Sequence, residues 1–205
     1  EGNYPAVVAI YQQRLIFART DRQRLTVWGS QTGNFYNFSS SSPIKDDDGF
    51  EVTMDSLEMD EIRHMMLNQR VLLVFSEGGE WTMTPGENND AITPTTTRFN
   101  NQSFFGCSAV RPVTAGASIV QLQNSGKLVR DLFGSGGEYG GTEISILANH
   151  LFASPIVAWD YQDEPWHVLY AIRADGVLLT LSYLKEQEVY AWSEHRTAGK
   201  YRSVA

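Results

Sequence analysis

Apolar and polar residues alternate along most of this chain, in short runs that stop at turn-forming residues. The clearest run spans Trp166 to Leu184. Leu169, Ala171 and Arg173 fall on one side, and Tyr170, Ile172 and Ala174 on the other; Asp175-Gly176 follows, and Val177 to Leu181 resumes the alternation. Period-two patterning interrupted by Asp-Gly predicts a β-hairpin, because a type I′ turn needs positive φ at both central residues. A two-residue loop there pairs Ala174 with Val177, Ile172 with Leu179 and Tyr170 with Leu181.

Similar units come earlier. Val7 to Tyr11 and Arg14 to Ala18 flank Gln12-Gln13, and Arg24 to Trp28 supplies a third strand. Arg70 to Phe75 leads through Ser76-Glu77-Gly78-Gly79 into Glu80 to Thr84. Ala109 to Thr114 and Ala117 to Leu122 flank Ala115-Gly116, and Lys127 to Phe133 follows Asn124-Ser125-Gly126. Inner strands start near Leu15, Val71, Ser118 and Val168, in steps of 56, 47 and 50 residues. Recurrence at this period, with three or four strands per unit, is the signature of stacked or radially arranged sheets. The pattern therefore predicts an all-β, antiparallel, β-propeller-like chain of about four units, a count that allows an incomplete propeller. One such sheet cannot bury both of its faces alone and must lean on its neighbours. We expect residues 1–205 to form a single domain of this kind.

The interruptions are polar. Ser39 to Ser42, Pro43 and Asp46 to Asp48 form one loop, and Pro85 to Pro94 another. Gly134 to Gly141 holds five glycines and predicts a hairpin tip. One short helix is expected after it, with Thr142 as N-cap, Glu143 in the first turn, and Ile144, Leu147 and Leu151 along one face. Glu58 to Asn68 is ambiguous: Ile62, Met65 and Met66 fit a helix, whereas the repeat favours a strand, which we adopt.

Composition narrows the function classes. With 42% hydrophobic residues, the chain is an ordinary globular sequence, and no apolar run approaches the length of a membrane-spanning helix. The start, Glu1-Gly2-Asn3-Tyr4-Pro5, has neither an initiating Met nor a signal-peptide pattern, and reads as a fragment of a longer protein. Cys107 is the sole cysteine, so no internal disulfide or cysteine-rich metal site can form; it reads as a small buried residue. The net charge is −8, whereas a protein that wraps nucleic acid needs a basic surplus, at least locally. The nearest candidate is Arg14, Arg19, Arg22 and Arg24, read here as solvated loop charge. Arginine outnumbers lysine twelve to four, which hints at ion pairs or subunit contacts.

Candidate chemistry is thin. From Asp46, the fifth and sixth positions are Phe50 and Glu51, so Asp46-Asp47-Asp48-Gly49 fails the calcium-loop spacing and reads as a solvated loop. Gly134, Gly136 and Gly140 miss the phosphate-loop spacing by one. His64, His150, His167 and His195 show no metal-ligand spacing. Glu77 and Glu80, or Asp160, Asp163 and Glu164, offer carboxylates of the kind a glycosidase pairs, but nothing brings a particular pair together. Trp28, Trp81, Trp159, Trp166 and Trp192 could stack sugars, although tryptophans near strand ends more often pack sheet against sheet. We expect no catalytic residue, cofactor or metal. Gly78, Gly79, Trp81, Asp175 and Gly176 stand out instead as turn and packing positions.

Several stretches, in order, resemble a known family. They are Tyr4-Pro5 with Gln12-Gln13-Arg14-Leu15, Val27-Trp28-Gly29-Ser30 with Gly33-Asn34-Phe35, and Asp46-Asp47-Asp48. Glu77-Gly78-Gly79-Glu80-Trp81, Gln102-Ser103 with Gly106-Cys107, and Leu184-Lys185-Glu186-Gln187-Glu188-Val189 follow. Together they resemble the tail nozzle proteins of short-tailed bacteriophages and prophages, also described as tail tubular protein B-like or packaged-DNA stabilisation proteins. The resemblance implies a non-enzymatic virion structural protein, made in the bacterial cytoplasm and built into the phage tail. It implies a homo-oligomeric ring, usually a hexamer, that meets the adaptor or portal side and the tail needle or fibres. It further implies transient, non-specific contact with packaged DNA during retention and ejection, and no membrane. A carbohydrate-binding or carbohydrate-active propeller of a tail adhesin is the alternative, and a host-side interaction propeller a third reading.

Overall fold

The computed structural model describes residues 3–56, 60–86, 91–135 and 138–204. It is all-β, with four four-stranded antiparallel sheets, each a meander whose strands neighbour one another in chain order. Sheet 1 holds β1 (Val7–Tyr11), β2 (Arg14–Ala18), β3 (Thr26–Gly29) and β4 (Phe50–Thr53). Sheet 2 holds β5 (Ile62–Asn68), β6 (Val71–Ser76), β7 (Glu80–Thr84) and β8 (Arg98–Ser103). Sheet 3 holds β9 (Val113–Ala115), β10 (Ser118–Leu122), β11 (Val129–Ser135) and β12 (Glu138–Glu143). Sheet 4 holds β13 (Ile156–Gln162), β14 (Val168–Arg173), β15 (Leu178–Leu184) and β16 (Val189–His195). The four inner strands read from the repeat are β2, β6, β10 and β14, the second strand of every sheet. The propeller-like expectation holds at the level of the sheets, and Ile62 to Asn68 is the strand that the repeat favours.

The chain divides into two compact units, Glu1–Gly106 with Ser135–Glu138, and Cys107–Gly134 with Tyr139–Ala205. In the first, Ile16, Ala18 and Val27 of sheet 1 pack with Ile62, Leu72, Val74 and Met83 of sheet 2, most of them wholly excluded from water. Burying an Ile or Leu side chain of this kind contributes about 1.5–3 kcal/mol. Polar ties register the two sheets: Tyr11 Oη donates to the Arg70 carbonyl at 2.8 Å, and the Ile62 N–H to the Arg24 carbonyl at 3.1 Å. In the second unit, Val120, Leu122 and Val129 meet Trp159, Leu169, Ala171, Leu179 and Leu181. The indoles of Trp159 and Trp192 donate to the carbonyls of Arg111 and Ile144, at 2.7 and 2.8 Å. Trp192 also meets Phe152 edge-on, with ring centroids 4.9 Å apart. Trp81 and Trp159 are buried and Cys107 fully so, but Trp166 is 71% exposed and does not pack between sheets.

Turn chemistry departs from the sequence reading at three hairpins. Ile172 pairs with Leu178 and Tyr170 with Thr180, one residue out of the expected register. The loop has three residues, Ala174-Asp175-Gly176, with the Gly176 N–H bonded to the Arg173 carbonyl at 2.9 Å. Gly176 alone takes positive φ, +85°, so this is a type I turn closed by a glycine bulge, not type I′. The two-residue loop between β9 and β10 is Gly116-Ala117, with Ala115 paired to Ser118, and β9 is shorter than the expected Ala109 to Thr114. The turn with positive φ at both centres falls at Gln12-Gln13, at 45° and 59°, where no glycine signals it.

The helix also moves. Thr142 and Glu143 belong to β12, and a 3-10 segment runs Ile146–Leu151 after Ser145, without a side-chain cap. Ile144 is buried but Leu147 is 94% exposed, so the expected apolar face does not form. Of the glycine-rich tip, residues 136 and 137 lie outside the described residues, while β11 and β12 pair on either side.

Gly176 and Gly106 are backbone-constrained. A Cβ on Gly176 would sit 2.6 Å from Lys200 Cβ, and one on Gly106, φ +71°, only 1.9 Å from the Glu77 carbonyl oxygen. Gly176→Val should cost about 1–3 kcal/mol, and Gly106→Val more, because its Cβ would come closer still and would strike backbone. Urea unfolding of both variants checks the order; an unshifted midpoint for Gly176→Val would contradict the bulge.

Candidate functional site

The connection from β3 to β4, residues 30–49, has no strand of its own beyond one Gln31–Asn34 bridge, yet it is thoroughly tied down. Arg14 opens β2 on the same parity as Ile16 and Ala18, so its side chain turns inward and is 1% exposed. Its Nη1 donates to the carbonyls of Ser30 (2.7 Å) and Asp48 (2.6 Å), and its Nη2 to that of Asp46 (2.6 Å). The guanidinium lies 5.6 Å from the Phe50 ring centroid. Burial pulls the pKa of Arg14 down, and Asp47 and Asp48 oppose that pull. The group remains a cation at any ordinary pH. Arg14 is therefore not the solvated loop charge expected from its neighbours in sequence.

Asp48 corrects the second expectation for this loop. Its carboxylate is buried and accepts at Oδ2 from Ser41 Oγ (2.6 Å), the Ser41 N–H (2.8 Å) and the Lys45 N–H (2.9 Å). These bonds hold its pKa below the ordinary 3.8. Ser30, wholly buried, accepts from the Leu15 N–H at 2.9 Å, and the Gly33 N–H reaches the Gln13 carbonyl at 2.8 Å. The result is an irregular loop held in one shape, presenting Phe35, Tyr36 and Ile44 to solvent, with Tyr36 at 97% exposure. Phe38 folds back and stacks on Phe17, centroids 5.6 Å apart.

Phe17 belongs to the face of sheet 1 that points away from the core. Val8, Phe17 and Trp28 form one cross-strand row there, and Ile10 and Leu15 the next. Val8 and Ile10 are 59% and 62% exposed. Leu15, Phe17 and Trp28 on the same face are half-buried.

The five turn and packing positions fall into two separate places. Ser76 Oγ donates to Asp60 Oδ2 at 2.5 Å and accepts from the Gly79 N–H (3.0 Å) and Trp81 Nε1 (3.3 Å). The Gly78 N–H donates to Asp60 Oδ1 at 2.9 Å. A Cβ on Gly79 would lie 2.7 Å from the Ser103 carbonyl oxygen, so close backbone approach accounts for the glycine there. In the other unit, Asp175 grips the Arg173 guanidinium, whose Nη1 donates to the Leu151 carbonyl at 2.6 Å. Arg14, Ser30, Asp48, Asp60 and Gly106 were missed as site residues. Arg14 alone had a sequence signal, an arginine at core parity in an apolar strand.

Among the described residues no group of His, Cys, Asp and Glu could hold a metal ion, and no helix is long and apolar enough to cross a membrane. A family model described as bacteriophage nozzle protein matches residues 6–130, more than half of the chain. The chain belongs to the bacteriophage nozzle protein family. It is thus a structural protein of a phage tail, carried in the virion and assembled with other phage proteins. No curated protein matches it. The matched span of this nozzle-family chain contains the arginine-pinned loop, the apolar face of sheet 1 and the Asp60–Trp81 network.

Arg14→Leu should strand three loop carbonyls and cost about 3 kcal/mol, with amide exchange rising across residues 30–49 before the rest of sheet 1. Asp48 carries the pH dependence of the same loop. Because its folded pKa is depressed, its contribution is complete above 3.8 and is lost as pH falls below that through the folded value. In an NMR titration, the Ser41 and Lys45 amides should shift with a midpoint below 3.8, and Asp48→Asn should abolish the shift.

Proposed function

We propose that this chain is a non-enzymatic part of the nozzle that helps retain packaged DNA and conduct it during ejection, working as a homo-oligomeric ring. Six copies is the number the resemblance implies, with the adaptor or portal on one side and the needle or fibres on the other. The observation that carries the reading is the nozzle-family match across sheets 1 and 2 and into sheet 3. The solvent-facing Val8 and Ile10, beside the half-buried Phe17 and Trp28, support it, because a virion subunit needs a contact surface that survives without its partner.

Within that reading the apolar face of sheet 1 and the pinned loop meet a neighbouring subunit. The net charge of −8 suits a conduit, since a wall that repels phosphate lets a duplex slide whereas a basic wall holds it. Contact with DNA is then transient and independent of base sequence.

Mass photometry of the intact parent protein, with and without its tail partners, tests the ring. Rings support the reading, and monomers under both conditions contradict it. Ile10→Asp should abolish assembly while the thermal midpoint stays put, because Ile10 is already in water. Rings that persist with Ile10→Asp would move the contact surface elsewhere.

A further inference from the structure

Sheet 4 lies outside the residues matched by the family, and its solvent face differs in kind from that of sheet 1. Its register places Asp160, Tyr170, Thr180 and Ser193 in one cross-strand row. Gln162 begins the next row on one side and His195 ends the next on the other. Tyr170 Oη donates to Gln162 Oε1 at 3.1 Å, and Thr180 Oγ1 lies 2.6 Å from Ser193 Oγ and 3.0 Å from His195 Nε2. These bonds fix the side chains in place without enclosing them. Beyond Gln162 the chain turns through residues 163–167 to reach β14, and Trp166 in that turn, at the Gln162 end of the sheet, is 71% exposed. Trp166 is the only tryptophan among the exposed large hydrophobic residues of the described chain.

We propose that the solvent face of sheet 4, together with Trp166 at the Gln162 end of the sheet, binds a neutral saccharide chain. A pyranose offers an apolar C–H face and a rim of hydroxyls. An indole and a phenol supply rings for the first, while carboxylate, amide, hydroxyl and imidazole groups donate to and accept from the second. Charge disfavours anionic ligands. Asp160, Asp163 and Glu164 all lie on this strand and loop, and would repel nucleic-acid phosphates and acidic glycans. A lipid surface needs a broader apolar area than one indole provides. The site is independent of ring assembly, so either proposal can fail alone.

Tryptophan fluorescence and amide chemical shifts of the 205-residue chain, titrated with maltohexaose, cellohexaose and chitohexaose, test the proposal. At least one should give a saturable change at millimolar sugar, with shifts confined to β13 to β16 and the 163–167 loop. Trp166→Ala, which removes a ring already in water, should weaken that binding by about tenfold or more with an unchanged circular dichroism spectrum. Asp160→Asn should weaken it as well while keeping the backbone. If none of the three sugars binds saturably, or if Trp166→Ala binds as well as the parent, the proposal is wrong.

Discussion

A four-stranded meander has two faces and can hide from water only what another sheet covers. That constraint organises each unit. The middle strands carry most of the buried apolar residues; Ile16, Val27, Leu72 and Met83 fill one interface, and Val120, Leu169, Leu179 and Leu181 the other. In sheets 1 and 2 the fourth strands turn polar side chains to solvent. β8 holds Arg98, Asn100, Asn101 and Gln102, and β4 shows Glu51 and Thr53 to solvent. An edge strand of that composition resists pairing with foreign strands. The regular spacing in the sequence comes from the return of the apolar middle strands in sheet after sheet.

Loops that leave such sheets must satisfy their own backbone, and each unit uses a buried arginine for this. Arg14 sits just after a hairpin turn and binds three carbonyls of the 30–49 loop; Arg173 sits just before one and binds the carbonyl that ends the 3-10 segment. A guanidinium suits the task because its planar fork of donors reaches several acceptors at once. Its desolvation cost is offset only while those acceptors stay in position. Loop shape and charge burial thus hold each other, which explains how twenty residues without regular structure can present Tyr36 in one place. The surplus of arginine over lysine finds part of its reason here.

The sheets were legible because their signal is collective: dozens of alternating positions agree, and no single residue decides. The hairpin at Asp175-Gly176 was legible in place but not in register. Asp-Gly fits a two-residue type I′ turn and a three-residue bulged turn equally well, and Arg173, held by Asp175, selects the longer one. The expected helix failed because Thr142 and Glu143 pair in β12, an override of local propensity by a partner strand that a local window cannot see. The loop charges were misread for a related reason. Burial of Asp48 depends on Ser41 and Lys45 coming back to meet it, and of Arg14 on a loop that begins sixteen residues later. Parity was the one available clue, since an arginine in step with Ile16 and Ala18 has to face where they face.

The solvent faces of the first and last sheets show what the fold leaves to other molecules. Both lie opposite a buried face and are built on the same meander, so fold alone would make them alike. Sheet 1 shows Val8 and Ile10; sheet 4 shows Asp160, Thr180, Ser193 and His195. Since the period-two pattern needs only one apolar face per strand, the second apolar set on β1 and β2 is not required to hold this sheet together in its own unit. Keeping the β-branched Val8 and Ile10 in water disfavours the isolated subunit through its solubility and gains nothing in its own stability. An apolar set of that kind is stabilising only once something covers it. The polar set on sheet 4 needs no cover, and it leaves that face open to a ligand that forms hydrogen bonds.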